Sequence, residues 1–354
     1  MVRCSQPAMD NGRGTAVNTR MKIGITYDLK SSGPLDPSLP DDFQEEFDSP
    51  HTIEAIAAVL RGLGHHVVLL GDNREFLQKV LGDPPDFIFN FAEGTGVSRS
   101  REARVPAVLE MLGIPYTGSD PLTMTVTLDK NCAKTIVAAA GVMVPKSVLL
   151  APAQTTSDLG APIAELMFPV VVKPAWEGSS KGIRNKCLVK TVAELPDVVD
   201  SLRGDLRQPI LLEEYIEGDE LTVGVYGNAP AHILGVMRVV PQFPVEQFIY
   251  SLEIKRDYRR LVKYECPAPL SAEVMARVDK AARAAFGALG CRDIARVDFR
   301  VRGGIPYFLE VNPLPGLNPD DSDLVIMAKL VGWSYAQLIE TIVDAALRRH
   351  NTIG

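Results

Sequence analysis

The sequence predicts an N-terminal α/β unit built on a parallel sheet, followed by α+β units. Two patterns support this fold class. Between residues 21 and 121, short apolar strands such as KIGIT, HHVVLL and DFIFNF alternate with amphipathic helices, which favours crossover connections and parallel pairing. In the last part of the chain, strands such as ELTVGVYGN and AHILGVMRVV follow one another directly, which favours antiparallel pairing.

We divide the chain into an N-terminal α/β domain at 21–121, a central unit at 122–212 and a C-terminal unit at 213–354. Residues 1–20 have no periodicity and few large apolar groups, so we expect them to form a disordered extension.

Local signals mark the first and last residues of two helices. Ser49 before Pro50, and Asp120 before Pro121, each combine an N-cap residue with a proline suited to the first helical position. We expect one helix over LTMTVTLDKNCAKTIVAAA, with Gly141 ending it.

Composition and charge restrict the class of protein. With 37 basic and 44 acidic residues the formal charge is -7, which argues against duplex nucleic acid as a partner. The five cysteines are scattered without a CxxC pair, so neither a disulfide framework nor a zinc site is indicated. No apolar run reaches the roughly 18 to 20 residues that a membrane helix needs. We expect a cytoplasmic protein with small-molecule partners, no nucleic acid and no membrane.

IARVDFRV and FLEVN predict a hairpin that gathers polar side chains on one face. Arg296 and Asp298 share a face of the first strand, and Glu310 and Asn312 share a face of the second. A two-residue turn would place Glu310 opposite an apolar residue, so we predict a three-residue loop, 303–305, that pairs Asp298 with Glu310. Two carboxylates, an amide oxygen and a guanidinium suit Mg²⁺ bound to polyphosphate. The alternative is a solvated polar face of an edge hairpin.

Other stretches are candidates for nucleotide contact. FPVVVKPAWEGSSKGI brings Lys173 to the end of a buried strand, and its Gly/Ser-rich continuation suits phosphate. ILLEEYIEGDELTV exposes strand-edge backbone at 213–216 and places Glu220 within reach of a ribose. Lys130 and Lys255 gain a role only if the fold brings them to the same phosphates. Taken singly, these stretches are equally consistent with a glycine-rich turn, an acidic turn and surface lysines.

Taken in order, TLDK, FPVVVKPAWEGSSKG, LLEEYIEGDELTV, IARVDF and FLEVNPLPG resemble the ATP-grasp fold, and more closely the D-alanine–D-alanine ligase family. The resemblance extends from about residue 100 to the end of the chain. It implies an ATP-grasp fold behind an N-terminal parallel-sheet (pre-ATP-grasp) domain. It also implies an ATP-dependent ligase that forms a dipeptide through an acyl phosphate and releases ADP and phosphate. The implied requirements are ATP, two Mg²⁺ with Mn²⁺ as a substitute, amino-acid or amine substrates, and a homodimer.

The resemblance also implies roles for individual residues. The implied ATP contacts are Lys130, Lys173, Ser179, Ser180, Gly182, Glu213, Glu214, Ile216 and Glu220. The implied metal ligands are Asp298, Glu310 and Asn312. The implied catalytic groups are the side chains of Arg296 and Lys255 and the backbone N–H of Gly316, of which Arg296 and Gly316 would stabilise a tetrahedral oxyanion.

The sequence departs from the family where the substrates would bind. The family has Gly-Gly-x-Ser-x-Glu after the first strand, whereas this chain has a longer segment in which that glutamate falls on Asp48. Glu93 stands in place of a histidine, and Ser322 replaces the family's carboxylate-binding serine only if the loop shifts by one residue. Asp320 and Asp321 would repel a carboxylate there.

We therefore keep Asp48, Glu93 and Ser322 as candidate substrate ligands. Two alternatives to a D-alanine–D-alanine ligase stay open. One is an ATP-grasp amide ligase of a specialised pathway with substrates other than two D-alanines. The other is a nucleotide-binding regulator without catalysis.

Overall fold

The computed structural model describes residues 20–31, 33, 36, 39–206 and 208–353. The predicted extension at 1–20 therefore lies outside the described residues, apart from its last residue. Within the described ranges, no helix is both long enough and apolar enough to span a bilayer.

The first sheet is parallel, as predicted. Its strand order is β2-β1-β3, with β1 at Lys22–Tyr27, β2 at His66–Gly71 and β3 at Phe87–Phe91. The helices that connect or follow these strands are α1 (Pro50–Gly62), α2 (Asn73–Gly82) and α3 (Arg104–Leu112). The predicted start of α1 is confirmed, because the Ser49 side chain accepts a hydrogen bond from the N–H of Thr52.

The single helix predicted after Asp120 is two helices, so this prediction was wrong. Asp120 caps α4 (Pro121–Leu128) as expected, but Asp129 then leaves the helical conformation and caps α5 (Lys130–Ala139) by accepting from the N–H of Cys132. An aspartate side chain that bonds to nearby backbone N–H groups competes with the helix, which explains the break. Lys130 thereby becomes the first residue of a new helix.

The second and third sheets are antiparallel. The second has the order β4-β7-β5-β6 and comprises β4 (Ser147–Leu150), β5 (Val170–Pro174), β6 (Leu188–Val189) and β7 (Ile210–Glu214), with helices α6 (Gly160–Ala164) and α7 (Leu195–Leu206). The third has the order β10-β9-β8-β11-β12 and comprises β8 (Asp219–Gly227), β9 (Ala231–Pro241), β10 (Val262–Glu265), β11 (Ile294–Arg302) and β12 (Ile305–Asn312). Its helices are α8 (Leu252–Arg256), α9 (Tyr258–Leu261), α10 (Ala272–Ala288), α11 (Asp323–Leu330) and α12 (Tyr335–Ile353).

Two apolar cores join these layers. In one, Ile23 and Ile25 of β1 share a cluster with Leu338 and Ile342 of α12, so the C-terminal helix packs on the N-terminal unit. In the other, α5 and α10 cover the third sheet, and Val137 packs there among residues of β8 and β11. Helix α5 thus lies with the third sheet, although its sequence position is in the central unit. The boundaries 21–121, 122–212 and 213–354 stay predictions.

The hairpin β11-β12 has the predicted pairing but not the predicted loop. Asp298 lies opposite Glu310, as expected. However, the strands are joined by the two-residue turn Gly303-Gly304, both at positive φ, and not by a three-residue loop. A β-bulge at Leu309 supplies the extra residue that changes the register.

The bulge has a direct effect on the face exposed to the cleft. In a regular strand Leu309 and Glu310 would point to opposite faces, because strand side chains alternate. Here Phe308 and Val311 are buried in the core, while Leu309 and Glu310 both line the same cleft. The strand therefore offers an apolar side chain and a carboxylate side by side.

Candidate active site

A cleft between the second and third sheets gathers most of the residues singled out from the sequence. Its lining includes Lys173, Ser180, Glu213, Glu214, Ile216, Glu220, Lys255, Asp298 and Glu310. The cleft encloses about 90 Å³. The segment that follows β9 closes it, since Ile249 and Tyr250 are among the lining residues.

At one end of the cleft, Glu213 on β7 is held by two lysines. Its carboxylate accepts hydrogen bonds from Nζ of Lys173 at 2.6 Å and of Lys134 at 2.5 Å. All three side chains are buried. Burial would raise the pKa of Glu213, but the two ammonium groups outweigh it and lower that pKa. Lys134 was not predicted from the sequence; it lies one helical turn after Lys130 on α5.

Glu214 points the other way. Its carboxylate accepts from the N–H of Met167 at 3.0 Å, on the face of β7 opposite to Glu213. Nearby, Glu220 pairs with Arg300 at 2.9 Å. Burial raises the pKa of Glu220, and the Arg300 guanidinium only partly offsets this. The role of Arg300 was missed, because only a folded chain brings β8 and β11 together.

The acidic pair on β11 and β12 lies among cations. The Arg296 guanidinium lies 3.0 Å from Asp298 and 3.8 Å from Glu310, while Lys130 Nζ lies 3.3 Å from Glu310. Burial would raise the pKa of Glu310, but Lys130 and further cations lower it to about 2. For Asp298 burial prevails over Arg296 and the pKa is raised.

Asn312 follows on the same strand. Its Oδ1 accepts from the N–H of Leu314 at 3.0 Å, which fixes the amide in place. Asn312, Glu310 and Lys130 line a second, smaller cavity beside the cleft. Within the part of the chain that the structure describes, no group of three or more His, Cys, Asp and Glu side chains could hold a metal by itself. A cation at this place would need oxygens from another molecule to complete its ligands.

The Gly/Ser-rich segment forms a tight turn over these groups. Ser179 and Ser180 have φ of 49° and 59°, and Gly182 has φ of 75°. The left-handed region is costly for serine, and such strain is typical of functional turns. Ser180 Oγ donates to the carbonyl of Tyr250 at 3.1 Å, and Lys255 Nζ lies 5.0 Å from the Tyr250 ring centroid.

A larger cavity of about 380 Å³ adjoins the cleft, and we call it the reactant cavity. Its lining includes Asp48, Glu93, Ser179, Lys255, Arg296, Asn312, Gly316, Asp321 and Ser322. The structure thus brings all three substrate candidates beside the predicted oxyanion-binding pair. Burial raises the pKa of Asp48 to about 7 and that of Glu93 well above its ordinary value. Ser322 Oγ accepts from the N–H of Asn318 at 2.9 Å.

A buried ion cluster behind the Gly/Ser turn had no signal in the sequence. Arg101 lies 2.7 Å from Glu46 and 3.2 Å from Glu177, and Lys181 lies 2.9 Å from Glu177. These four side chains are at most 8% exposed and come from three separate parts of the chain. A single-sequence pattern cannot show contacts over such separations.

Comparison with known proteins places this architecture. The sequence model of the family described as D-ala D-ala ligase C-terminus matches residues 136–344. The chain belongs to the D-alanine–D-alanine ligase family. The D-alanine–D-alanine ligase of Moorella thermoacetica is 33% identical over 299 residues, covering 83% of this chain and 92% of that one. An uncharacterized protein of Sinorhizobium fredii is 35% identical over 310 residues, covering 84% of this chain and 88% of that one.

Solved structures agree with this assignment. The D-alanine–D-alanine ligase from Bacillus anthracis complexed with ATP has a TM-score of 0.72 and 27% identity, covering 94% of this chain and 100% of that chain. The resemblance to the D-alanine–D-alanine ligase family and the predicted ATP-grasp fold are therefore confirmed. The roles of individual residues stay predictions.

Proposed function

We propose that this chain is an ATP-dependent carboxylate–amine ligase that forms a dipeptide through an acyl phosphate. The observation that carries this proposal is the convergence of lysines, paired carboxylates and Arg296 around one cleft and the adjoining reactant cavity. A regulator that only binds nucleotide has no evident use for Arg296 and Gly316 at that second cavity.

ATP would lie along the cleft, with its base against β7 and its phosphates toward β12. We assign the base to Glu213, the main chain of Glu214 and Ile216, and the ribose to Glu220. The phosphates would contact Lys130, Lys173, Lys255 and the turn of Ser179, Ser180 and Gly182. Usual ligand pockets enclose about 300–1,000 Å³. The cleft encloses about 90 Å³ and is lined by Ile249 and Tyr250, so we expect the segment after β9 to move when a nucleotide enters.

The residues at the phosphate end fit magnesium. Asp298, Glu310 and Asn312 supply hard oxygen donors, and Mg²⁺ commonly takes one or two carboxylates with substrate phosphates completing its shell. Bound there, the ion would neutralise charge on the transferring phosphoryl group. The same donors suit a second Mg²⁺, or Mn²⁺.

The chemistry requires no nucleophilic side chain. The carboxylate of the first amino acid attacks the γ-phosphorus of ATP, the bond to the ADP oxygen breaks, and an acyl phosphate forms. The amine of the second substrate then attacks the acyl carbon, loses a proton and displaces phosphate. Arg296 and the Gly316 N–H would stabilise the oxyanion, and exclusion of water from the occupied site would protect the acyl phosphate.

The second candidate is a ligase whose acceptor is not D-alanine. At the place where the family's serine would bind a carboxylate, the reactant cavity presents Asp321, and Ser322 Oγ is already hydrogen-bonded to the chain. An acceptor without a free carboxylate would suit this lining better than an amino acid would.

The test measures phosphate release from ATP in the presence of Mg²⁺ and one of three kinds of acceptor. These are D-alanine, other D- and L-amino acids, and amino-acid amides, which have no free carboxylate. With D-alanine labelled by ¹⁸O in its carboxylate, the mechanism transfers one label to the released phosphate. Turnover without label transfer would rule out the acyl phosphate. Turnover with D-alanine alone would remove the second candidate.

We further propose that the enzyme acts as a homodimer in the cytoplasm, as the resemblance implies. Light scattering on the purified chain should give twice the 38.5 kDa mass of one chain. A single-chain mass at enzyme concentrations that support turnover would contradict the dimer.

A further inference from the structure

The N-terminal segment 41–46 holds the Gly/Ser turn at both ends. Near the start of the turn, the Glu46 carboxylate accepts from the Gly178 N–H at 2.5 Å, and near its end Asp42 accepts from the Gly182 N–H at 2.9 Å. Neither contact is local, since the partners are more than 100 residues apart in the chain. The turn is thus anchored by carboxylates from another part of the molecule.

Glu46 is also a member of the buried ion cluster, where it pairs with both cations. Arg101 donates to it at 2.7 Å, and Lys181 Nζ lies 3.7 Å away. With Glu177, the four side chains of the cluster are two cations and two carboxylates. Burial would raise the pKa of Glu46, but Arg101 and Lys181 outweigh it and lower that pKa. The carboxylate is therefore ionised when it accepts from Gly178.

The turn needs such support because its own backbone is strained. Ser179 and Ser180 lie in the left-handed region, which is unfavourable for a residue with a side chain unless its surroundings impose it. Glu46 fixes Gly178, directly before this pair, and Asp42 fixes Gly182, two residues after it. A charged acceptor gives a stronger hydrogen bond than a neutral one, which favours one conformation of the turn.

We propose that Glu46 is a positioning residue for the ATP phosphates. It fixes the conformation of the 178–182 turn through the Gly178 N–H, and it joins that turn to the segment that ends at Asp48 in the reactant cavity. This inference rests on the proposed function, which places phosphates under the turn. It goes further by assigning the geometry of the turn to a residue outside the nucleotide-binding units.

The test uses Glu46→Gln and Glu46→Asp. Glutamine keeps the length of the side chain but removes its charge, and aspartate keeps the charge but withdraws the carboxylate from Gly178. Glu54→Gln is the matched control, because Glu54 lies on the exposed face of α1 and pairs only with Arg61 among the contacts seen. All variants are made with Trp333→Phe.

That background leaves Trp176 as the only tryptophan of the two in the chain. The carbonyl of Trp176 accepts from Arg101 at 2.7 Å, so its fluorescence reports on the cluster and the start of the turn. Turnover is measured as phosphate release with ATP, Mg²⁺ and D-alanine. Binding is measured with ADP alone and, by Trp176 emission, with ATP and Mg²⁺.

In both Glu46 variants we expect kcat to fall by about 100-fold, because small displacements of a positioning group have effects of this size. The dissociation constant for ADP should stay within about twofold, and ATP with Mg²⁺ should no longer change Trp176 emission as it does in the parent. A folded Glu46→Asp protein with parental kcat and parental Trp176 response would overturn the proposal. If the parent itself released no phosphate with any amino acid, the proposed function would fail, while the Trp176 response would still test Glu46.

Discussion

Replacing Glu213 by glutamine removes the negative charge to which two buried ammonium groups donate hydrogen bonds. Lys134 and Lys173 each donate to the Glu213 carboxylate, at 2.5 and 2.6 Å. In the variant the lysines keep a neutral acceptor of the same shape but lose the carboxylate that lies between them. The change therefore isolates the electrostatic part of the contact.

Two arguments give the size of the loss. Breaking a buried ion pair by removing one partner costs about 3–5 kcal/mol. Independently, a buried lysine can instead release its proton, which costs about 3.4 × 1.36 ≈ 4.6 kcal/mol at pH 7 from a free pKa of about 10.4. Burial, together with the Lys173 charge, already lowers the pKa of Lys134 against the pull of Glu213, so Lys134 is the lysine expected to deprotonate. The expected loss in free energy of unfolding is about 3–5 kcal/mol.

The pH dependence gives the sharper test. With a neutral Lys134, the folded variant binds fewer protons than the unfolded chain, so its stability relative to wild type rises as the pH approaches the free lysine pKa of about 10.4. Urea unfolding at several pH values measures this, with Glu217→Gln as an exposed control nearby. Lys134→Met in the same chain should restore part of the loss. A Glu213→Gln protein within about 1 kcal/mol of wild type at every pH would refute the reasoning.

Three further predictions concern the cleft and its surroundings. Without ligand, Asp48→Asn should be more stable than wild type by an amount that grows from about pH 4 to pH 7 and reaches about 4 kcal/mol. The reason is that burial raises the Asp48 pKa to about 7, so the folded wild type must keep a proton that the unfolded chain releases. A pH-independent difference between the two proteins in urea unfolding would contradict this. Glu310→Gln should abolish phosphate release with an unchanged circular dichroism spectrum, and full activity would reject the metal assignment. Arg256→Gln removes half-exposed ion pairs with Asp41 and Glu45, which are worth up to about 1 kcal/mol. Amide hydrogen exchange in residues 41–46 should therefore be faster than in wild type at low salt but not at high salt, where such pairs are screened. The same difference from wild type at both salt concentrations would count against this.

Features set by local sequence were predictable. The Ser49 and Asp120 caps, the parallel first sheet and the antiparallel third sheet follow from short-range patterns and are confirmed. The pairing of Asp298 with Glu310 was also predicted, because one face had to hold all the polar side chains. The ordered motifs sufficed for the family as well.

The features that were missed depend on alternative local conformations of similar energy or on contacts between distant parts of the chain. The parity argument required one extra residue in the hairpin, and it could lie in the loop or in the strand; the three-residue apolar spacing from Phe308 to Val311 was the available signal for the strand. The break at Asp129 reflects a side chain competing with helical hydrogen bonds. The contact of Glu46 with Arg101 joins residues that no local pattern connects.

The bulge at Leu309 allows two adjacent side chains to face the cleft, which the alternation of a regular strand does not allow. In a regular strand, both sequence neighbours of a cleft-facing residue point into the core. Here Phe308 and Val311 are buried in the core, while Leu309 and Glu310 both line the cleft. The side chain at position 309 can thus be replaced while Asp298 stays opposite Glu310 and the packing of Phe308 and Val311 is kept. Position 309 is therefore a place in the cleft wall where the side chain can vary independently of the core.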